Sequence, residues 1–275
     1  MVLRARNLAL AILAFAPSIV AAPGDDIARA RNLFEHGKFE AAEEIAKAKG
    51  VDAIPLRAEI LRAKGKPDEA VRLLETRKSA SGVEGRRVRL LLGELLIATG
   101  RRKDAEEPLM KIIEEYNDRS IASSDAEGLA MVGRAASLLR SPKDANNAYN
   151  ESERVDKKRL QTLLYRADLF LDKYDPGHAE ELLREALEID GERSDTLVAL
   201  ARVKLEQNVD FESAEELLDQ AIKSNPKNAD VFAVQAGIAL RDSNLKKAEE
   251  SIAKGLAINS SHLELLSLKA AARFL

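Results

Sequence analysis

Apolar and polar residues follow a helical period along this chain, and the pattern restarts many times. The clearest marker of each restart is an alanine just inside a helix that follows a turn. It occurs in GKFEAAEEI (37–45), GKPDEAVRLL (65–74), GRRKDAEEPL (100–109), RSPKDANNAY (140–149), YDPGHAEELL (174–183), VDFESAEELL (209–218) and SNLKKAEESI (243–252). The aligned alanines are Ala42, Ala70, Ala105, Ala145, Ala179, Ala214 and Ala248, separated by 28, 35, 40, 34, 35 and 34 residues. A second small residue lies about twelve positions upstream, at Ala58, Gly93, Gly133, Ala167, Ala201 and Ala236. A third near-small position follows seven residues after the marker, at Ser152, Ala186, Ala221 and Gly255. Each unit therefore reads helix, tight turn, helix, tight turn.

The small residues have a packing reason. Two antiparallel helices approach closely only where side chains are small at the crossing. The upstream Ala or Gly belongs to the first helix of a unit and the marker Ala to the second. Larger residues such as Leu183, Leu218 and Ile252 then fill the space toward the next unit. A lone hairpin cannot bury its apolar stripe, so the units must stack.

In this repeat the chain resembles the tetratricopeptide repeat family, which uses about 34 residues per helical hairpin with small residues at positions eight, twenty and twenty-seven. Pro226 in AIKSNPKN (221–228) matches the proline that often ends the second helix. The likeness covers residues 25–275 and is strongest from 160 onward. It departs from the family at the missing aromatic of position four, at the short first unit, and at an extra loop, YNDRSIASS (116–124). The resemblance implies an all-α, right-handed superhelical solenoid of stacked antiparallel hairpins. A related helical-hairpin repeat is the structural alternative. The expected organisation is about three irregular hairpins over 23–115, the loop at 116–124, and about four and a half hairpins over 125–275. The final stretch, SSHLELLSLKAAARFL (260–275), reads as a lone first helix that leaves Leu263, Leu266, Ala270 and Phe274 wanting a partner. Either it caps the stack or the chain is part of a longer protein.

The first 22 residues follow another pattern. Arg4 and Arg6 precede an uncharged apolar run from Leu8 to Val20, closed by Ala21 and Ala22. This is the order of a secretory signal peptide cut after Ala21 or Ala22, and the run is short for a membrane span. An uncleaved anchor is the rival reading. Cleavage takes the net charge from −3 to −5. Neither value, nor the 4% aromatic content, suits nucleic-acid binding. The expected setting is the periplasm or the extracellular space, with no stable membrane span in the mature chain. Two N-x-S sequons, at Asn150 and Asn259, matter only in a host that glycosylates exported proteins.

Catalytic chemistry is hard to find. There is no cysteine, hence no disulfide, thiolate nucleophile or Cys-ligated zinc. His36, His178 and His262 lie in different units and form no H-E-x-x-H, so no metal pair is expected. Nucleophile elbows and glycine-rich phosphate loops are absent from the sequence. No catalytic, cofactor or metal site is expected. The densest single-sign cluster is Arg86, Arg87, Arg89, Arg101, Arg102 and Lys103, read as the solvated edge of a hairpin or as a contact for an anionic partner.

What remains is the concave face, which the family resemblance places on positions two, five, nine and twelve of each first helix. Carried onto units four to seven, these positions give an apolar track of Leu164, Leu171, Val198, Leu205 and Leu240, beside an alternating ladder of Arg134, Asp168 and Arg202. Such a groove binds extended or helical peptides. The competing reading makes the leucines inter-unit core and the charges internal ion pairs. The family's basic clamp for a peptide carboxylate is not matched, since Leu164 and Asp168 stand where it needs Lys and Asn. The expected function is a non-enzymatic scaffold for a protein or peptide. The alternative is a repeat arm of a longer exported enzyme, of zinc-peptidase type, with its catalytic domain beyond residue 275.

Overall fold

The computed structural model describes residues 23–207 and 210–274. The segment read as a signal peptide, 1–22, lies outside the described residues. Among those described there are fifteen α-helices and no strand. They run α1 (Pro23–Glu35), α2 (Phe39–Ala48), α3 (Ile54–Ala63), α4 (Pro67–Glu75), α5 (Gly82–Ala98), α6 (Arg102–Asn117), α7 (Ala126–Leu138) and α8 (Pro142–Val155). They continue as α9 (Leu160–Asp172), α10 (Pro176–Ile189), α11 (Ser194–Gln207), α12 (Phe211–Ser224), α13 (Ala229–Arg241), α14 (Leu245–Ile258) and α15 (Leu263–Ala271). Consecutive odd and even helices pair as antiparallel hairpins, seven in all among the described residues, and α15 packs on the seventh.

The marker alanines sit at the crossings. All seven are buried, and so are the small residues upstream of them. Gly93 and Gly133 show why the position must be small. A Cβ on Gly93 would lie 2.6 Å from the Leu109 side chain, and one on Gly133 would lie 2.4 Å from the Tyr149 ring. In each case a large residue of the second helix, one turn after the marker, fills the hole that the glycine leaves. The third small position serves the next unit: Gly255 faces Leu265 of α15. Ser152, at the same register, is buried but satisfied, donating to the Ala126 carbonyl at 2.8 Å and lying 2.8 Å from the Thr162 hydroxyl.

Turns within hairpins repeat one geometry. Five residues before the marker, the backbone enters the left-handed region at Gly37, Gly65, Gly100, Arg140, Tyr174 and Ser243. The flanking amides close a helix-ending motif, with Gly37 N donating to Phe34 O and Lys38 N to Leu33 O. Turns between the later units repeat another. Asp156, Asp190, Asn225 and Asn259 leave their helices in extended conformation. The side chains of Asp156, Asn225 and Asn259 then accept from the amide two residues on. Earlier junctions are irregular: a 3-10 turn at Gly50–Ala53, a glycine-led start at Gly82, and a loop after α6 anchored by the buried Ile121. Helix α6 runs through Asn117, so the first two residues expected in that loop are helical.

The stack curls far enough for its ends to meet. Glu35 accepts from Arg193 at 3.2 Å, and Glu40 accepts from Lys227 at 2.7 Å. The Lys227 ammonium also stands 5.3 Å above the Phe39 ring. Asn259 donates to the Arg62 carbonyl at 3.3 Å, and Ile258 packs against the apolar cluster formed by α1 to α3. Hairpins one and two therefore touch the inter-unit turns that bracket units six and seven. At the end of the stack, Leu263, Leu266, Ala270 and Phe274 stay exposed.

Candidate binding cavity

Curling shapes a half-open cavity of about 1100 Å³ on the inner face. Its walls come from α1, α3, α5 and α7, from the start of α9, and from the turns that lead into α11, α13 and α15. Ile27, Phe34, Leu90, Leu91, Ala130 and Met131 supply apolar wall. Much of the rest is polar or charged, and part of that charge is organised by the repeat. One position after each upstream small residue is position nine, and in helices α1, α3, α5, α7, α9 and α11 it holds Arg31, Glu59, Glu94, Arg134, Asp168 and Arg202.

These groups pair along the ladder. Arg31 makes a fork onto Glu59, with one arm at 2.9 Å. Arg134 reaches Glu94 at 2.7 Å with Nε, binds Asp168 with Nη1, and lies 5.1 Å from the Tyr165 ring centre. Burial works against the charge on Arg134, but Glu94 and Asp168 outweigh it and hold the guanidinium protonated. Burial, with Glu94 beside it, pushes the Tyr165 phenol well up, so it stays a neutral hydroxyl. At position two, burial alone would raise Glu127, yet Arg87 and Arg159 more than offset it and hold the carboxylate below its usual range. Asp230 accepts from His262 at 3.2 Å, and that contact, with Arg202 nearby, outweighs its desolvation and lowers it too.

The cavity is not where the expected groove lies. Arg134 lines it; Leu164, Asp168, Leu171, Val198, Arg202, Leu205 and Leu240 do not. Val198 is 3% exposed and Leu205 8% exposed, both packed with Leu197, Leu218, Val231 and Ile238. Leu164 and Leu171 pack against Leu200 and Val203, and Leu240 is half-buried. Val198 and Leu205, and in part Leu164 and Leu171, therefore belong to an inter-unit seam, because successive first helices bury these positions against one another. Asp168 is taken by Arg134, and Arg202 is taken by Glu264 at 2.6 and 2.9 Å. Arg31, Glu59, Glu94 and Tyr165 were not among the expected site residues. Counting eleven back from the markers Ala42, Ala70 and Ala105 finds the first three.

The basic cluster is also corrected. Arg86 and Arg89 are 4% and 5% exposed, tied to Glu115, to Asp125 and to the carbonyls of Lys78 and Ala80. Arg87 faces the cavity, Arg101 binds Asp68, and Arg102 donates to the Leu138 carbonyl.

Among the described residues, no group of three His, Asp or Glu side chains is placed to hold a metal. His36 and His178 bond within their own helix ends, and His262 caps α15. No described helix is long and apolar enough to cross a membrane.

Residues 170–238 match the tetratricopeptide repeat family. No curated protein matches the chain. Among solved structures, a tetratricopeptide repeat protein from Parabacteroides merdae is similar, at 14% identity and a TM-score of 0.58, over 91% of this chain and 98% of that one. Yeast Tom70 is similar at 15% identity and a TM-score of 0.54, over 85% of this chain and 49% of its own length.

Proposed function

We propose that this chain, a tetratricopeptide-repeat solenoid, is a non-catalytic scaffold that holds a polypeptide segment of a partner protein against its inner face. The observation that carries this reading is the cavity itself. Its volume of about 1100 Å³ exceeds the roughly 300–1,000 Å³ of small-molecule sites. Its lining mixes apolar wall with charges already paired to each other. An incoming segment exchanges those internal pairs for its own side chains, so binding favours a mixed-charge peptide over a strongly acidic or basic one.

Selection from a displayed random-peptide library tests this. The native protein enriches one family of mixed-charge sequences. Gln161→Trp and Ala28→Trp, each placing bulk on the cavity lining, abolish the enrichment while the helical spectrum is unchanged. Equal enrichment by native and plugged proteins sinks the proposal.

We place the scaffold in the periplasm or outside the cell. The support is the basic, apolar, small-residue order of 1–22. A native protein of about 28 kDa that starts near Pro23 supports export. A native protein that retains Met1 and resides in the cytoplasm contradicts it.

A further inference from the structure

The contact between the two ends of the coil follows a register of its own. The turn of hairpin one meets the turn that precedes α13, and the turn of hairpin two meets the turn that precedes α15. At both places a glycine in the left-handed region faces the incoming backbone. A Cβ on Gly37 would lie 2.5 Å from Asn225 Oδ1, and one on Gly65 would lie 2.8 Å from Ser260 N. Gly100, at the same place in hairpin three, has nothing within 4 Å. Two successive units are thus shaped to seat two successive turns.

The forces across this seam differ from those within the stack. Hairpin crossings are sealed by fully buried alanines and leucines. The seam is held by Lys227 on Glu40, with side chains 39% and 70% exposed, by Arg193 on Glu35, with side chains 17% and 27% exposed, by one amide-to-carbonyl hydrogen bond, by the Lys227 ammonium over Phe39 and by the single apolar contact of Ile258. The exposed Lys227–Glu40 pair is weak and screened by salt, and the remaining contacts are few beside the continuous apolar packing of each hairpin. The seam can therefore part while every hairpin stays folded.

We propose that the seam is a latch, which switches the inner face between a closed channel and an open groove. The latch stands independently of what the inner face binds. Its consequence for a ligand rests on the scaffold reading.

Because the chain has no cysteine, Lys38→Cys with Lys223→Cys places two spin labels across the seam. In low salt the native sequence gives a short, narrow distance distribution. Lys227→Glu with Arg193→Glu broadens it to longer distances with helical content unchanged, and Glu40→Lys partly restores it. High salt on the otherwise native chain moves the distribution the same way, so the test survives a variant that misfolds. A distribution that stays short under both charge reversal and high salt overturns the latch, as does a native chain with no short population. Access is read separately, from Gln161→Cys on the cavity wall. Opening the latch speeds its modification by a polyethylene-glycol maleimide several-fold more than by N-ethylmaleimide. Equal acceleration overturns the gating role, while the scaffold reading stands or falls on the peptide selection alone.

Discussion

In the first three hairpins the left-handed turn position is glycine, at Gly37, Gly65 and Gly100; in hairpins four, five and seven it is Arg140, Tyr174 and Ser243. The backbone does the same thing in both regions, so conformation alone does not explain the difference. A side chain is admitted where the turn faces solvent, as at Tyr174, which is 93% exposed. It is excluded at Gly37 and Gly65, where another turn arrives. The two regions also differ in their charges. Arg86 and Arg89 of hairpin three are buried in an ion network, whereas Arg202 of hairpin six is paired near the surface. The early hairpins thus form an irregular clasp, with two arginines buried in hairpin three, and the later ones a regular stack that it closes upon.

The buried network offers the largest test of that contrast. Arg86→Met strands Asp125, leaves Glu115 to Arg89 alone, and costs on the order of 3 kcal/mol in chemical denaturation. Arg202→Met costs less than about 1 kcal/mol, because its partners are solvated. Equal losses would remove the distinction. Overpacking comes next: Ala179→Leu, at a fully buried crossing, costs on the order of 1–3 kcal/mol. A native melting curve for that variant contradicts the crossing register.

Alanine at the two kinds of glycine turn separates strain from docking. Gly100→Ala costs about 1–2 kcal/mol from its left-handed backbone alone. Gly65→Ala carries the same strain and also collides with Ser260, so its loss is larger. If the two losses match, hairpin two does not seat on that turn. In the opposite direction, Tyr174→Gly relieves left-handed strain with no packing to lose and stabilises by about 0.5–1 kcal/mol.

The smallest effect is a pH dependence. Hydrogen bonds from Lys47 and Lys64 depress Glu43 from 4.5 to about 2. A depressed carboxylate contributes stability that is full above its unfolded value and fades as pH falls from about 4.5 toward 2. Glu43→Gln flattens the stability profile in that window. An unchanged profile removes Glu43 as a source of it.

The hairpins were legible because they are local. A small residue every half-unit and a turn five residues before each marker are visible without partners in view. Spacings of 34 and 35 over units four to seven reflect the shared turns at Asp156, Asp190, Asn225 and Asn259. The cavity was not legible, because its closure depends on contacts such as Glu35 with Arg193 and Arg62 with Asn259, 158 and 197 residues apart. Small rotations between units add up to that meeting, and no local period encodes their sum. Val198 and Leu205 misled for a related reason. In a stack, a first helix is buried on its flank as well as against its own partner, so an apolar residue near the inner face is often seam. Arg86 and Arg89 read as solvated because their partners, Glu115 and Asp125, arrive from the next helix and the loop after it.

The central claim is that the stack coils until its ends touch. Small-angle X-ray scattering of the monomeric chain in low salt tests it most directly. The account predicts a radius of gyration near the roughly 18–19 Å of a compact chain of this length, with a single-peaked distance distribution that lengthens in high salt. An elongated particle well above about 25 Å in low salt would contradict it.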